Sequence, residues 1–472
     1  MNYRWIRDYN STKNDVYVDA NTSSASKRNW MSRDWVVENI LDYKFQLGEK
    51  HAFDVTLMYG ANRSNEESTT ASADQLEFDT FGWNNLGVGG LQETTSSAKK
   101  VSGISSMARL NYRLMNKYLF TLTARRDGSS VFAANHKYAT FPSAAFAWIV
   151  SEEDFLDNAA FLDLLKLRVS YGAVGNQAIS PYQSLSLATT SRYVFGEESA
   201  LGIYPSRIAN TDLKWETTSQ YNVGVDMGFF KNRVNLTVDL YYKKTSDLLQ
   251  NIQIPQSTGF SNMTTNFGNV TNKGLEISGK FYAVATKDFN WDFDANISFN
   301  RNKISGLPGD QFAQGWSKAD NVFLQRNGLP IGTIYGFVED GFYDNIAEVR
   351  SDPFYANESD AVCKAMIGEV KYKDLDGVAG ITNADRQIIG DTNPDFTFGM
   401  THNFSYKNFS LSFFLQGCVG GDIFNANLME VTMSGIGNIP QEMYNTRWTP
   451  ENRAIAKWPK AYAGYGRTMK LS

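Results

Sequence analysis

The sequence predicts an all-β fold of the transmembrane kind: a portion of an antiparallel β-barrel of about twelve strands with long extracellular loops. Three observations carry this. Apolar and polar residues alternate with a period of two, which puts one set on each face of a strand. The alternating runs are roughly 9–11 residues long, the length a tilted strand needs to cross a bilayer and longer than the usual 5–6 of globular proteins. Short and long connections alternate, as they do in outer-membrane barrels, with short periplasmic turns and longer extracellular loops.

In chain order, the runs fall near 37–47, 53–61, 106–114, 118–126, 142–150, 165–173, 221–229, 234–242, 275–284, 291–299, 396–406 and 409–417. Three are regular throughout. Tyr221, Val223, Val225, Met227 and Phe229 alternate with Asn222, Gly224, Asp226 and Gly228. Val234, Leu236, Val238, Leu240 and Tyr242 follow with the same period, as do Trp291, Phe293, Ala295, Ile297 and Phe299. Tight links are expected at Gly48-Glu49-Lys50, Met115-Asn116-Lys117, Phe230-Lys231-Asn232 and Lys407-Asn408, with 151–163 a slightly longer turn on the same side. Polar stretches at 62–104, 174–218, 244–273 and 300–395 read as the long connections.

Hydrocarbon offers no hydrogen bonds, so strands there must belong to a closed barrel. Val223, Val225, Leu236 and Val238 should then face lipid, and Asp226 and Asp239 should face inward. Tyr59, Tyr118, Tyr171, Trp215, Tyr221, Tyr242, Trp291 and Tyr406 lie near strand ends, where they are expected to form interfacial girdles or, in a large soluble sheet, core.

Composition removes other classes. The 472 residues carry 45 Lys+Arg against 50 Asp+Glu, a net charge of −5, and no basic run, which argues against nucleic acid as a partner. Aromatic residues make up 14%, and 37 Gly against 11 Pro fits β-structure better than a helical enzyme. Neither an 18-residue apolar stretch nor the apolar run of a secretory leader occurs. Cys363 and Cys418 form no disulfide framework, and His51, His136 and His402 are isolated. The glycine cluster GVGG at 87–90 does not lead from a strand into a helix, so it is no dinucleotide fingerprint. No nucleophile–base pair can be named, and an enzyme reading has no residues behind it.

Several long segments go beyond period. LRVSYGAVGNQAISPYQ at 167–183, the run from Asn210 to Leu249, GFSNMTTNFGNVTNKGLEI at 259–277, GEVKYKDLDG at 368–377, the run from Ala384 to Ala426, and RWTPEN at 447–452 resemble SusC/RagA-type TonB-dependent transporters, in that family's order. The resemblance implies part of a 22-stranded outer-membrane barrel of Bacteroidetes-type bacteria that imports oligosaccharides or peptides. It implies two sets of partners: a SusD-like surface lipoprotein as lid, and TonB–ExbB–ExbD acting through an N-terminal plug. The expectation is that residues 1–472 are part of one barrel domain, without the signal peptide, TonB box, plug and C-terminal strands of the family. Outer-membrane lipid is the expected surrounding.

Two sets of candidate site residues remain. Asp374, Asp376 and Asp385 occupy positions 1, 3 and 12 of a calcium-type loop, which wants oxygen ligands at 1, 3, 5 and 12 and glycine at 6. Val378 and Ala379 stand at 5 and 6, so the loop reads as a degraded copy: a polar turn, holding calcium weakly at best. No other cofactor is implied. Trp83, Trp316 and Tyr335 are the aromatic candidates, either for stacking on substrate or for packing loops and meeting the lid. Two competing functions stay open beside the importer: a soluble or surface β-rich glycan-binding module, and a passive porin.

Overall fold

A computed structural model of the chain describes residues 1–11, 23–196, 198–313, 321–428 and 439–461. Thirteen of its strands form one sheet in chain order. They are Asn2–Asn10, Ser23–Leu47, His51–Leu76, Gly89–Leu114, Tyr118–Ser129, Tyr138–Ile149, Leu162–Asn176, Glu216–Phe229, Val234–Ser246, Asn269–Ala285, Phe289–Ser305, Phe396–Tyr406 and Phe409–Val419. Every expected run lies within, or within a residue of, one of them. The expected count of about twelve is short by one, the strand Asn2–Asn10, which pairs with the first part of Ser23–Leu47. The residues form two compact units, 1–235 with 241–268 and 236–240 with 269–472.

In the first unit the tight turns fall at Gly48–Lys50, Met115–Lys117 and after Phe229. The last of these takes three left-handed residues in succession, Phe230, Lys231 and Asn232, at φ 57°, 58° and 57°. Above the turns, one face of the sheet is an apolar band. Phe45, Phe53, Tyr112, Phe120, Phe146, Val169 and Val223 are successive partners across seven strands. Ring centroids along the aromatic part of this row are 4.8, 4.7, 5.9 and 4.9 Å apart. The next two rungs carry Tyr43, Val55, Leu110 and Leu122, then Leu41, Leu57, Ala108 and Ala124. Leu41, Tyr43, Leu57 and Leu122 are exposed, as side chains in contact with lipid must be in the isolated chain. Val223 and Val225 lie on this face, and Asp226 lies on the opposite one.

Two expectations need correction here. The stretch 62–104 is not a long loop. His51–Leu76 and Gly89–Leu114 run through most of it, at 26 residues each, and only 77–88 connects them, through short 3-10 turns. Neither face of this extension carries an apolar band, so the alternation that marks a strand in contact with lipid is gone, while Ser and Thr keep the β-backbone; only its end is covered, where Ala73 and Leu76 are buried with Ala25. GVGG is divided: Gly89 and Gly90 open the second strand. Trp215 belongs to no girdle. It is buried with Phe132, Phe141 and Leu213 and donates its indole N–H to the Lys137 carbonyl at 3.1 Å. The other long connections are themselves structured, with hairpins Leu187–Phe195/Glu198–Arg207 and Leu249–Gln253/Asn262–Asn266.

In the second unit the apolar face repeats the device. Phe281, Phe293, His402 and Phe413 are successive partners with centroids 4.6, 5.4 and 5.0 Å apart. Gly279 lets the Phe281 ring and Leu236 close over the backbone; a Cβ there would lie 2.7–2.8 Å from both. The connection 306–395 holds a four-stranded sheet of Gln311–Phe312, Phe323–Gln325, Thr333–Gly336 and Gln387–Asp391. It also holds two short helices, Ile346–Ser351 and Asp360–Met366, capped by the Asn345 and Ser359 side chains. Their Val349 and Cys363 side chains are buried together with Tyr343.

Candidate functional site

Opposite the apolar band of the first unit, the sheet presents charge-paired polar side chains. Arg125 Nε lies 2.9 Å from both carboxylate oxygens of Asp127. Arg168 holds Asp226 through two bonds of 2.8 Å. Thr56 donates to Asp42 at 2.6 Å, and Lys44 lies 3.5 Å from Asp54. A groove of about 230 Å³ runs across this face, lined by Glu38, Asn62, Ser105, Arg125, Asp127 and Gln177 among others. Gly60, Gly103 and Gly128 keep its floor open. A second hollow of about 190 Å³ adjoins it and shares Asn62, Gly103 and Gln177. Such a surface can hydrogen-bond a polar solute while its own ionic groups stay neutralised in pairs. Of these residues, Asp226 alone was singled out in the sequence. The only available signal was their place in the polar phase of alternating strands.

The structure does bring the three loop carboxylates together. One oxygen from each of Asp374, Asp376 and Asp385 lies within 4.8 Å of the others. The donors around them explain the loop without an ion. Asp385, fully buried, accepts backbone N–H from Thr382 at 2.7 Å, Leu375 at 2.8 Å and Asp376 at 3.3 Å. With Thr382 it forms a reciprocal capping box around the 3-10 turn Asn383–Asp385. These amides, that of Thr382 first, hold the Asp385 carboxyl below the usual carboxylate range. Asp374 accepts from Gly377 N–H at 2.7 Å and Asp376 from Val378 N–H at 2.8 Å. A calcium ion wants six to eight oxygens. The side chains of Val378 and Ala379 supply none, and the Asp385 oxygens are committed to amides, so the donor set does not fit a tight calcium site.

Two of the aromatic candidates fall in different units. Trp83 lies in the 3-10 turn Asp79–Asn84 of the first unit and is 37% exposed. Tyr335 is half-buried in the small sheet of the second unit, 6.0 Å from the Phe312 ring. The Arg386 guanidinium stacks 5.1 Å from the Tyr335 ring and 5.5 Å from that of Phe337. It also donates to the Tyr335 and Asn321 carbonyls at 3.0 and 2.9 Å. Trp316 lies outside the described residues. Nearby, burial pushes the Tyr372 hydroxyl up to about 12.

An antiparallel sheet with short turns at one end, an apolar aromatic-banded face and a charge-paired opposite face is the wall of an outer-membrane β-barrel. The chain belongs to the TonB-dependent receptor family: residues 1–413 match the family described as TonB dependent receptor-like, beta-barrel. It is 37% identical over 421 residues to TonB-dependent receptor P3 of Formosa agariphila, covering 88% of this chain and 41% of that protein. It is 34% identical over 356 residues to TonB-dependent receptor SusC of Bacteroides thetaiotaomicron, covering 73% of this chain and 34% of that protein. The chain thus spans less than half the length of these curated relatives. The fold is also similar to the structure of the RagAB peptide transporter, with TM-score 0.80, 23% identity, and coverage of 99% of this chain and 50% of that one.

Proposed function

We propose that residues 1–472 are part of one barrel domain of an energy-coupled outer-membrane importer. In this reading its cargo is an oligosaccharide or peptide, and it works with a SusD-like surface lipoprotein and with TonB–ExbB–ExbD. The observation that carries the proposal is the 34% identity to SusC over 73% of the chain. The paired charges opposite the apolar band support it, since a wall that polar cargo slides past should offer hydrogen bonds without unpaired charges that would trap the cargo. Trp83 and Tyr335 pack loops or meet the lid rather than bind substrate, and the 374–385 loop acts as a structural turn that binds calcium weakly or not at all.

The test is uptake by cells carrying the full-length protein. Import should cease when the proton gradient is collapsed and when the surface lipoprotein is deleted. Uptake that persists without the gradient would favour a passive porin. A detergent-free monodisperse chain that binds glycan without transport would favour the binding module.

A further inference from the structure

Just beyond the apolar band, the same face of the first unit changes character. Trp35, 46% exposed, pairs with Arg63, and the next rung outward places Arg33, Asn65 and Lys100 side by side on three strands. Adjacent strands lie about 4.8 Å apart and successive same-face residues about 6.7 Å apart, so the backbones carrying these three cations fall within about 10 Å of one another. Arg33 and Lys100 are exposed and Arg63 is half-exposed. Their side-chain contacts are neutral: Arg33 to Met31 Sδ at 3.7 Å and Arg63 to Asn65 Oδ1 at 3.3 Å. Among the described residues none of the three forms an ion pair. One strand further on, Arg126 lies over the Tyr138 ring at 5.3 Å, at the edge of the band.

The charge is specific to one face. From the Trp35 rung outward, this face holds Arg7, Lys27, Arg33, Arg63 and Lys100 against Glu67 alone. On the other face of the same strands, Arg4, Arg28 and Lys99 are outnumbered by five carboxylates. A chain with a net charge of −5 thus concentrates unpaired cations on the face that continues its lipid-contacting surface. They lie at the end away from the short turns, the extracellular side of an outer-membrane barrel.

We propose that Arg33, Arg63 and Lys100, beside Trp35 in the register, bind the phosphate groups of an outer-leaflet glycolipid headgroup. The location selects the occupant. A soluble substrate passing along the opposite face does not meet these side chains, whereas lipid in contact with the apolar band places its headgroup at their level. Guanidinium and ammonium groups supply the donors, and the indole sits at the interface where its apolar body and polar edge are both satisfied. The inference is independent of which solute is imported.

The experiment uses the full-length protein in detergent, titrated with bisphosphorylated lipid A and followed by native mass spectrometry. Replacing the trio together (Arg33→Gln, Arg63→Gln, Lys100→Gln) should weaken binding on the order of a hundredfold. The opposite-face set Arg4→Gln, Arg28→Gln, Lys99→Gln should leave it unchanged, and Arg33→Lys with Arg63→Lys should retain most of it. Should the triple variant not fold, the exposed Lys100→Gln alone should weaken binding about fivefold. Dephosphorylated lipid A should bind poorly. Equal binding by the triple variant, equal binding of dephosphorylated lipid, or displacement of lipid A by inorganic phosphate or a soluble acidic oligosaccharide at comparable concentration would each overturn the proposal.

Discussion

The strands of the first unit are two regions in one backbone. Near the turns, His51–Leu76 reads Phe53, Val55, Leu57 on one face; further along the same strand and face it reads Glu67, Thr69, Ala71. Hydrogen-bond register is continuous between the two, so the ladder does not distinguish them. What differs is the medium. In hydrocarbon only apolar side chains are tolerated, whereas in water Ser and Thr satisfy the same pleat and leave no sticky surface. A strand is therefore defined by its ladder, and an alternating sequence pattern reports only its lipid-contacting part.

The largest test of this contrast is a pair of substitutions on one strand. Leu57→Arg should cost about 2–4 kcal/mol in urea unfolding of the full-length protein in lipid vesicles. Thr69→Arg, on the same face twelve residues along, should stay within about 0.5 kcal/mol. Comparable costs at both sites would mean that the apolar band does not contact lipid.

Between the two faces the contrast is between paired and unpaired charge. Arg168→Leu strips Asp226 of its two 2.8 Å bonds and should cost about 1.5–3 kcal/mol by the same measurement. The exposed Arg33→Gln should be nearly silent in stability, because no ion pair is lost. A large effect there would reveal a structural rather than a binding role.

Smaller and local is the effect of Asp385→Asn. Its amide group cannot accept from Thr382, Leu375 and Asp376 as a carboxylate does, so those N–H groups should exchange faster with solvent while the sheet is untouched. The same loop should loosen in acid. Since the Asp385 carboxyl is held below its ordinary value of 3.8, its contribution is present above that pH and is lost as pH falls through the lowered value. Hydrogen exchange followed across that window checks the sign; protection that rises on acidification would contradict it.

The smallest expected effect is on calcium. Val378→Asp with Ala379→Gly restores one ligand and the sharp-turn glycine, and calcium titration of the full-length protein should show tighter binding only after both changes. Tight binding by the unaltered loop would mean that carbonyls complete the shell.

Sequence alone settled whatever depends on near neighbours and on solvent. The period of two in 221–229 and 291–299, the turns at Gly48–Lys50 and Lys407-Asn408, and the spacing of Asp374, Asp376 and Asp385 are local, and each is where the sequence put it. The outer parts of His51–Leu76 and Gly89–Leu114 escaped because their Ser- and Thr-rich stretches lose the alternation. The rest depends on partners distant in sequence. That Trp215 is buried against Phe132 and Phe141 rather than placed in a girdle follows from a fold-back across more than seventy residues. That the Asp385 carboxylate is filled by amides is a matter of loop geometry, which spacing does not encode. Arg33, Arg63 and Lys100 are unremarkable one by one. Only the register of three strands, which fixes who stands beside whom at a separation of a few ångströms, makes them a cluster.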